Sequence, residues 1–239
     1  DRIGSPDLYL PMAAPDPDDF WRASAELAPA GLSVTVPHKE RWLGECRSLS
    51  PEVRRLGALN TLSAGPDGWR ADNTDWIGFE RSLAGWVPAG RNRFLVLGAG
   101  GTARAILYSL TRRGADVWCW NRDPGRLDRL RADFPELRPA GDALPAVDVV
   151  VNATSSSRSG LLPLPEAHLR STGAEYALDV VYGSASPFLE AAAALGWRTR
   201  DGRAMLFHQA AAQHRLWTGA EPPVTAAEAE RMLAFRISD

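Results

Sequence analysis

The chain has 239 residues, 45% of them hydrophobic, with 27 basic against 29 acidic side chains and a formal net charge of −2. That length buries a substantial core as one large domain or two small ones, and the composition excludes disordered, collagen-like and coiled-coil classes. The balanced charge argues against nucleic acid or an anionic membrane as main partner, and no apolar run approaches the ~18 residues of a membrane span.

In chain order, residues 7–14 read as a short strand, and the Pro/Asp-rich stretch 15–19 caps a helix over 18–27. Residues 32–36 (LSVTV) alternate and are β-branched, which predicts a strand. Pro37 ends it and suits the first turn of a helix over 38–49. Ser50 caps another short helix. Residues 60–63 and 68–72 read as strands around a Pro66-Asp67-Gly68 turn. Thr74 or Asp75 then caps a helix reaching about Gly85.

A second pattern begins near Arg93. Strands at 94–97, 116–120, 147–151 and 176–181 alternate with helices at 102–113, 127–134 and 186–195, and 197–199 reads as a last strand. This alternation predicts a parallel sheet covered on both faces. From Met205 the chain reads as two helices separated by a Gly/Pro break.

Lysine occurs once, at Lys39, so every other basic side chain is arginine. Arginine holds its proton near neutral pH and lysine can release one, which makes Lys39 a candidate acid/base group. A helix dipole disfavours a cation in its first turn, where the predicted helix places Lys39, and this favours an amine that gives up its proton. Gly98, Gly100 and Ala103 fit G-x-G-x-x-G/A after an apolar strand, a turn that lets backbone approach a pyrophosphate at a helix N-terminus. At the end of the next strand stand Asn121, Arg122, Asp123 and Arg126. The arginines suit a 2′-phosphate, hence NADP, and Asp123 pulls toward NAD. Asn60 and Asp75 lie at element ends, where a turn asparagine and a helix cap are the ordinary uses. The histidines show no metal spacing, and no Ser/His/Asp nucleophile motif occurs. Two cysteines, Cys46 and Cys119, make a disulfide framework unexpected and a reducing cytoplasm the expected compartment; no signal peptide is expected either.

The runs GLSVTVPHK, GALNTL, DNTDWIG, LGAGGTARA, NRD, VNATS, DVVY and GRAMLFHQAAAQHRLWTG, in this order, resemble the shikimate dehydrogenase family from about Leu32 to Gly219. The resemblance implies an α/β protein: a smaller substrate domain (1–78), an NADP-binding Rossmann-like domain (79–203) and C-terminal helices (204–239) returning to the first, with the active site in the cleft. It implies NADP-linked interconversion of shikimate and 3-dehydroshikimate, on the route to chorismate and aromatic amino acids, by a cytoplasmic monomer or homodimer without metal. Carried over residue by residue, Lys39 and Asp75 are the catalytic pair, and Ser33, Thr35, Asn60, Tyr182 and Gln209 meet the substrate. Gly98, Ala99, Gly100, Gly101 and Thr102 form the phosphate loop; Asn121, Arg122 and Arg126 clamp the 2′-phosphate. Asn152, Ala153 and Thr154 line the cofactor side, and Gly202 approaches the nicotinamide.

Two departures bear on this. The family clamp reads Asn-Arg-Thr, and Asp123 stands at its third position. The family also begins with a strand, a loop of two serines that binds the substrate carboxylate, and a helix. Here residues 1–4 read as the end of that helix, so the expectation is a first domain without that strand and anchor. Two other readings stay open: an NAD-linked enzyme for quinate, and a cofactor-binding protein without catalysis.

Overall fold

In the computed structural model, which describes residues 8–141, 143–183 and 185–235, two sheets form from consecutive stretches of chain. The first stretch contains α1 (Pro17–Leu27), β1 (Gly31–Ser33), β2 (Ser48–Leu49), α2 (Pro51–Leu56), β3 (Thr61–Gly65), β4 (Gly68–Asp72) and α3 (Asp75–Leu83). Its sheet runs β1-β3-β4-β2, antiparallel except for the β4–β2 pair. Val34, Trp42, Val53, Leu59, Leu62 and Ala71 form its core, with Trp21 and Trp69 packed against them.

The second stretch contains β5 (Arg93–Leu97), α4 (Gly101–Arg112), β6 (Asp116–Trp120), α5 (Pro124–Asp133), β7 (Arg138–Pro139), β8 (Val149–Asn152), α6 (Glu166–Ser171), β9 (Tyr176–Asp179), α7 (Pro187–Ala194) and β10 (Arg198–Arg200). Its six strands are all parallel, in the order β10-β9-β8-β5-β6-β7. Alternate residues of β5 serve opposite faces. Phe94 and Val96 join the core beneath α3 and α4, while Leu95 and Leu97 join the core with Phe188 of α7. The chain leaves β5 for β6 on one side and returns as β8 on the other, so a crevice opens at the carboxyl end of β5. Helix α8 (Arg203–Thr218) returns to pack on α3 and β3, and α9 (Ala226–Phe235) follows. The result is the expected α/β class: a parallel sheet covered on both faces, plus a smaller sheet. Among the described residues no helix is long and apolar enough to cross a membrane.

Several expectations need correction. Residues 8–14 form no strand, and residues 1–7, with the proposed helix end at 1–4, lie outside the described residues. The strand over 32–36 stops at Ser33, because after the Ser33–Thr61 pairing the chain turns into the bend that carries Pro37. The helix over 38–49 is instead two short 3-10 pieces, His38–Glu40 and Trp42–Glu45, followed by β2. Trp42 draws this segment down: its ring stacks on His38 and against Phe20 and Trp21. A three-residue turn has little dipole, so the dipole argument for Lys39 falls. Elements at 138–139, 156–159 and 166–171 were not expected from the sequence pattern. Residues 78 and 79, between which the resemblance divides the first two domains, both lie in α3, whose Phe79 and Leu83 enter the larger core.

Candidate active site

The run Asp72-Asn73-Thr74-Asp75 joins β4 to α3 and is buried throughout. Such a run needs partners for every polar group. The Asn73 carboxamide supplies two: its Nδ2 donates to the Ala58 carbonyl and its Oδ1 accepts from the Asp75 amide, both at 3.0 Å. The Thr74 amide donates to Asn60 Oδ1 at 2.7 Å. Of the two caps the sequence offered, Thr74 takes the N-cap position without a side-chain bond and Asp75 is the first residue of the helix. Its Oδ1 accepts from Asn60 Nδ2 at 2.8 Å, and its Oδ2 pairs with Lys39 Nζ. The Lys39 and Asp75 side chains are only 12% and 6% exposed, so this ion pair is largely removed from water. Each charge is thereby the main compensation for the other. Asn60 Nδ2 also approaches Thr74 Oγ1 at 2.9 Å and Gln209 Oε1 at 3.2 Å.

Gln209 comes from α8, and Gly78 is what lets it in. A Cβ on Gly78 would lie 2.6 Å from the Met205 carbonyl oxygen and 2.9 Å from Gln209 Cβ. One turn along the same face, Gln213 is buried and donates to the Asn60 carbonyl and Thr61 Oγ1 at 3.0 Å each, and to Ser33 Oγ at 3.1 Å. The sequence reading passed over Gln213; its spacing of four from Gln209 was the available signal. Ser33 is exposed, and among the described residues its side chain meets this group through Gln213. Thr35 and Tyr182 are exposed and lie outside the hydrogen-bond network among the described residues.

The glycine turn follows β5. Gly98 has φ +119°, and a Cβ there would meet the Ala153 carbonyl oxygen at 3.0 Å. Gly100 is the N-cap of α4, no side chain caps it, and the direction of its missing Cβ is open space. The first turn of α4 thus has no side-chain acceptor at its start, and its amides and helix dipole suit a dinucleotide pyrophosphate. Gly101 turns toward the other cluster: a Cβ on it would lie 3.2 Å from Lys39 Cβ. The glycine turn and the lysine therefore adjoin.

At the end of β6, Arg122 and Arg126 are exposed and Asn121 is half-buried. Asp123 caps α5, its Oδ1 accepting from the Gly125 amide at 2.9 Å and the Arg126 amide at 3.4 Å. Its Oδ1 is thereby held by the helix start, and its Oδ2 lies 3.8 Å from Arg126 Nε. Asn152 is fully buried: its Oδ1 accepts from the Thr154 amide and hydroxyl, and its Nδ2 donates to Asp179 and Ser157. It shapes the loop that carries Ala153 and Thr154. Gly202 has a backbone reason to be glycine, since a Cβ would lie 2.2 Å from the Val180 carbonyl oxygen.

Two family models match the chain: the shikimate dehydrogenase substrate binding domain over residues 2–62, and the shikimate 5′-dehydrogenase C-terminal domain over 202–230. The shikimate dehydrogenase (NADP(+)) of Acidiphilium cryptum is 39% identical over 233 residues, 94% of this chain and 84% of its own. The chain belongs to the shikimate dehydrogenase family. Another member, the shikimate dehydrogenase (NADP(+)) of Methylobacterium radiotolerans, is 38% identical over 94% of this chain and 83% of its own. The crystal structure of shikimate 5-dehydrogenase from Thermus thermophilus in complex with NADP(H) and shikimate superposes with a TM-score of 0.79 at 33% identity, covering 95% of this chain and 85% of that one. Membership in the shikimate dehydrogenase family makes the adjoining of Lys39 and the glycine turn the feature to explain.

Proposed function

We propose that the chain is an NADP-dependent shikimate dehydrogenase, interconverting shikimate and 3-dehydroshikimate. The observation that carries this is the placement of the buried Lys39–Asp75 pair directly against Gly101, where the helix of the glycine turn begins. An acid/base pair there serves a substrate hydroxyl facing a bound nicotinamide. The 37–40% identity to curated NADP(+)-dependent relatives supports the substrate and cofactor.

In this reading the first sheet and α8 hold the substrate, and the second sheet holds the nucleotide. NADP supplies the hydride acceptor or donor when bound. Gly98, Ala99, Gly100, Gly101 and Thr102 would hold its pyrophosphate, and Arg122 and Arg126 its 2′-phosphate, with Asp123 Oδ1 held by the start of α5 and its Oδ2 3.8 Å from Arg126 Nε. In oxidation Lys39 and Asp75 together take the hydroxyl proton; in reduction Lys39 Nζ returns one to the carbonyl oxygen. Asp75 orients the amine through Oδ2, and Asn60 fixes the other carboxylate oxygen. Gln209, Ser33, Thr35 and Tyr182 are the substrate contacts proposed around this pair. A reducing, cytoplasmic setting is part of this reading, in keeping with two unpaired cysteines.

The test is one matrix of assays: purified protein, shikimate or quinate, NADP+ or NAD+, followed by the absorbance of reduced nicotinamide. The proposal requires the shikimate–NADP+ combination to be fastest. Binding of NADP+ with no absorbance change would replace it with an inert nucleotide-binding protein.

A further inference from the structure

We propose that Arg104 is a positioning residue: through the carbonyl of Leu56 it sets where Asn60 and Lys39 stand relative to the glycine turn. The inference rests on the function proposed above, in which those side chains serve a nucleotide held by that turn.

Arg104 lies one turn into α4, its amide donating to the Gly100 carbonyl at 3.0 Å. Its side chain is 14% exposed and leaves its own helix. Nη1 donates to the Leu56 carbonyl at 3.0 Å, and Nη2 donates to Asp133 Oδ2 at 2.5 Å. Three elements meet at this guanidinium. Helix α4 starts at the glycine turn; Asp133 ends α5, whose first turn carries Arg126; Leu56 ends α2. Two acceptors in different directions need a planar fork of donors, which lysine lacks.

The Leu56 carbonyl belongs to the last turn of α2, where carbonyls lack intrahelical partners. A cation is well placed there against the helix dipole. The four residues that follow are pinned one by one. Gly57 takes the left-handed conformation at φ +61°, its amide bonded to the Val53 carbonyl at 2.9 Å. The Ala58 carbonyl accepts from Asn73 Nδ2 at 3.0 Å. The Leu59 amide donates to the Lys39 carbonyl at 2.7 Å. Asn60 then binds Asp75. With so little slack, a shift of Leu56 moves Asn60 and the Lys39 backbone together. Arg55 lies over the Phe134 ring at 4.6 Å, and the Leu56 side chain is fully buried in the larger core. The seam therefore persists without Arg104, and only its fine position is lost.

The experiment compares wild type with R104M, R104K and D133N. Steady-state kinetics with shikimate and NADP+, thermal unfolding, and hydrogen exchange over residues 57–60 with and without NADP+ are measured together. R104M is expected to fold and to lose about ten- to a hundredfold in kcat, the scale of a misplaced reacting group, with KM for NADP+ changed less than about threefold. R104K keeps one of the two bonds and recovers part of the loss; D133N loses less than R104M. Exchange over 57–60 rises in R104M and no longer responds to NADP+. Wild-type kcat in R104M, or unchanged exchange there, overturns the proposal. If R104M fails to fold, R104K and D133N carry the same kcat and exchange criteria. If wild type does not oxidise shikimate, the proposed function fails, and the exchange comparison alone decides the role of Arg104.

Discussion

The proposed acid/base cluster and the proposed nucleotide clamp are built on opposite plans. Lys39, Asp75, Asn60 and Gln209 are joined by hydrogen bonds among themselves. Arg122 and Arg126 stand exposed at the end of β6. The difference follows from what each must do. A proton moves well only between groups already held at the right distance, so the protein completes that geometry itself. An anion-binding arginine needs only to be within reach of its ligand, and a charge left in water costs little while it waits. Pre-assembly marks the chemistry, and exposure marks the binding.

The largest effect should come from breaking the pre-assembled side. Lys39→Arg keeps a partner for Asp75 but cannot release a proton, so kcat should fall about 10²–10⁴-fold with little change in melting temperature. A variant that keeps most of its turnover removes Lys39 from the proton's path. On the exposed side, Arg122→Gln with Arg126→Gln should raise KM for NADP+ about ten- to a hundredfold, as expected for lost hydrogen bonds to a charged group. KM for NAD+ should stay near its starting value, and an equal rise for both dinucleotides would contradict the 2′-phosphate assignment. Gly78→Ala forces α3 and α8 apart and should cost about 1–3 kcal/mol in urea unfolding. It should also raise KM for shikimate several-fold but not KM for NADP+; a stability loss with both KM values unchanged would separate Gln209 from substrate.

The smallest effect on activity is expected at Asp148, remote from both regions. Burial pushes its carboxyl up, but bonds from the Arg93 side chain and the Arg93 and Asn92 amides outweigh burial and hold it below the usual carboxylate range. A carboxylate depressed by folding stabilises at neutral pH and loses that contribution as pH falls through its folded value. Asp148→Asn should therefore lower stability by about 1–3 kcal/mol near neutrality, with the gap to wild type closing on acidification and kcat unchanged. A gap that widens in acid would show the sign to be wrong.

Much of this was legible in the chain. The alternation of strand and helix from Arg93 onward carried the parallel sheet, and a solitary lysine beside a β-branched strand marked the amine proposed to react. What escaped the sequence was set at long range. Residues 38–49 read as a helix, yet aromatic packing on Trp42 holds them in short 3-10 turns. Lys39 is thus placed by Asp75 and Gly101 rather than by a helix dipole. Asp75 sits where a cap is ordinary, and only the fold brings Lys39 within its reach. Gln213 offered only its spacing from Gln209 and Arg104 offered no signal, because their partners, Asn60 and Leu56, are distant in sequence and one bond in each case is to a backbone carbonyl. Gly202, which the resemblance places near the nicotinamide, has a further reason to be glycine in the Val180 backbone.

Ser33 and Gln213 are 180 residues apart, yet they share a hydrogen bond. A ribosome delivers Lys39, Asn60 and Asp75 well before the glutamines of α8. A chain that stops short of α8 therefore lacks the Gln209 bond to Asn60 and the Gln213 bonds to Ser33 and Thr61. The small sheet closes on a helix that is synthesised only after the whole parallel sheet.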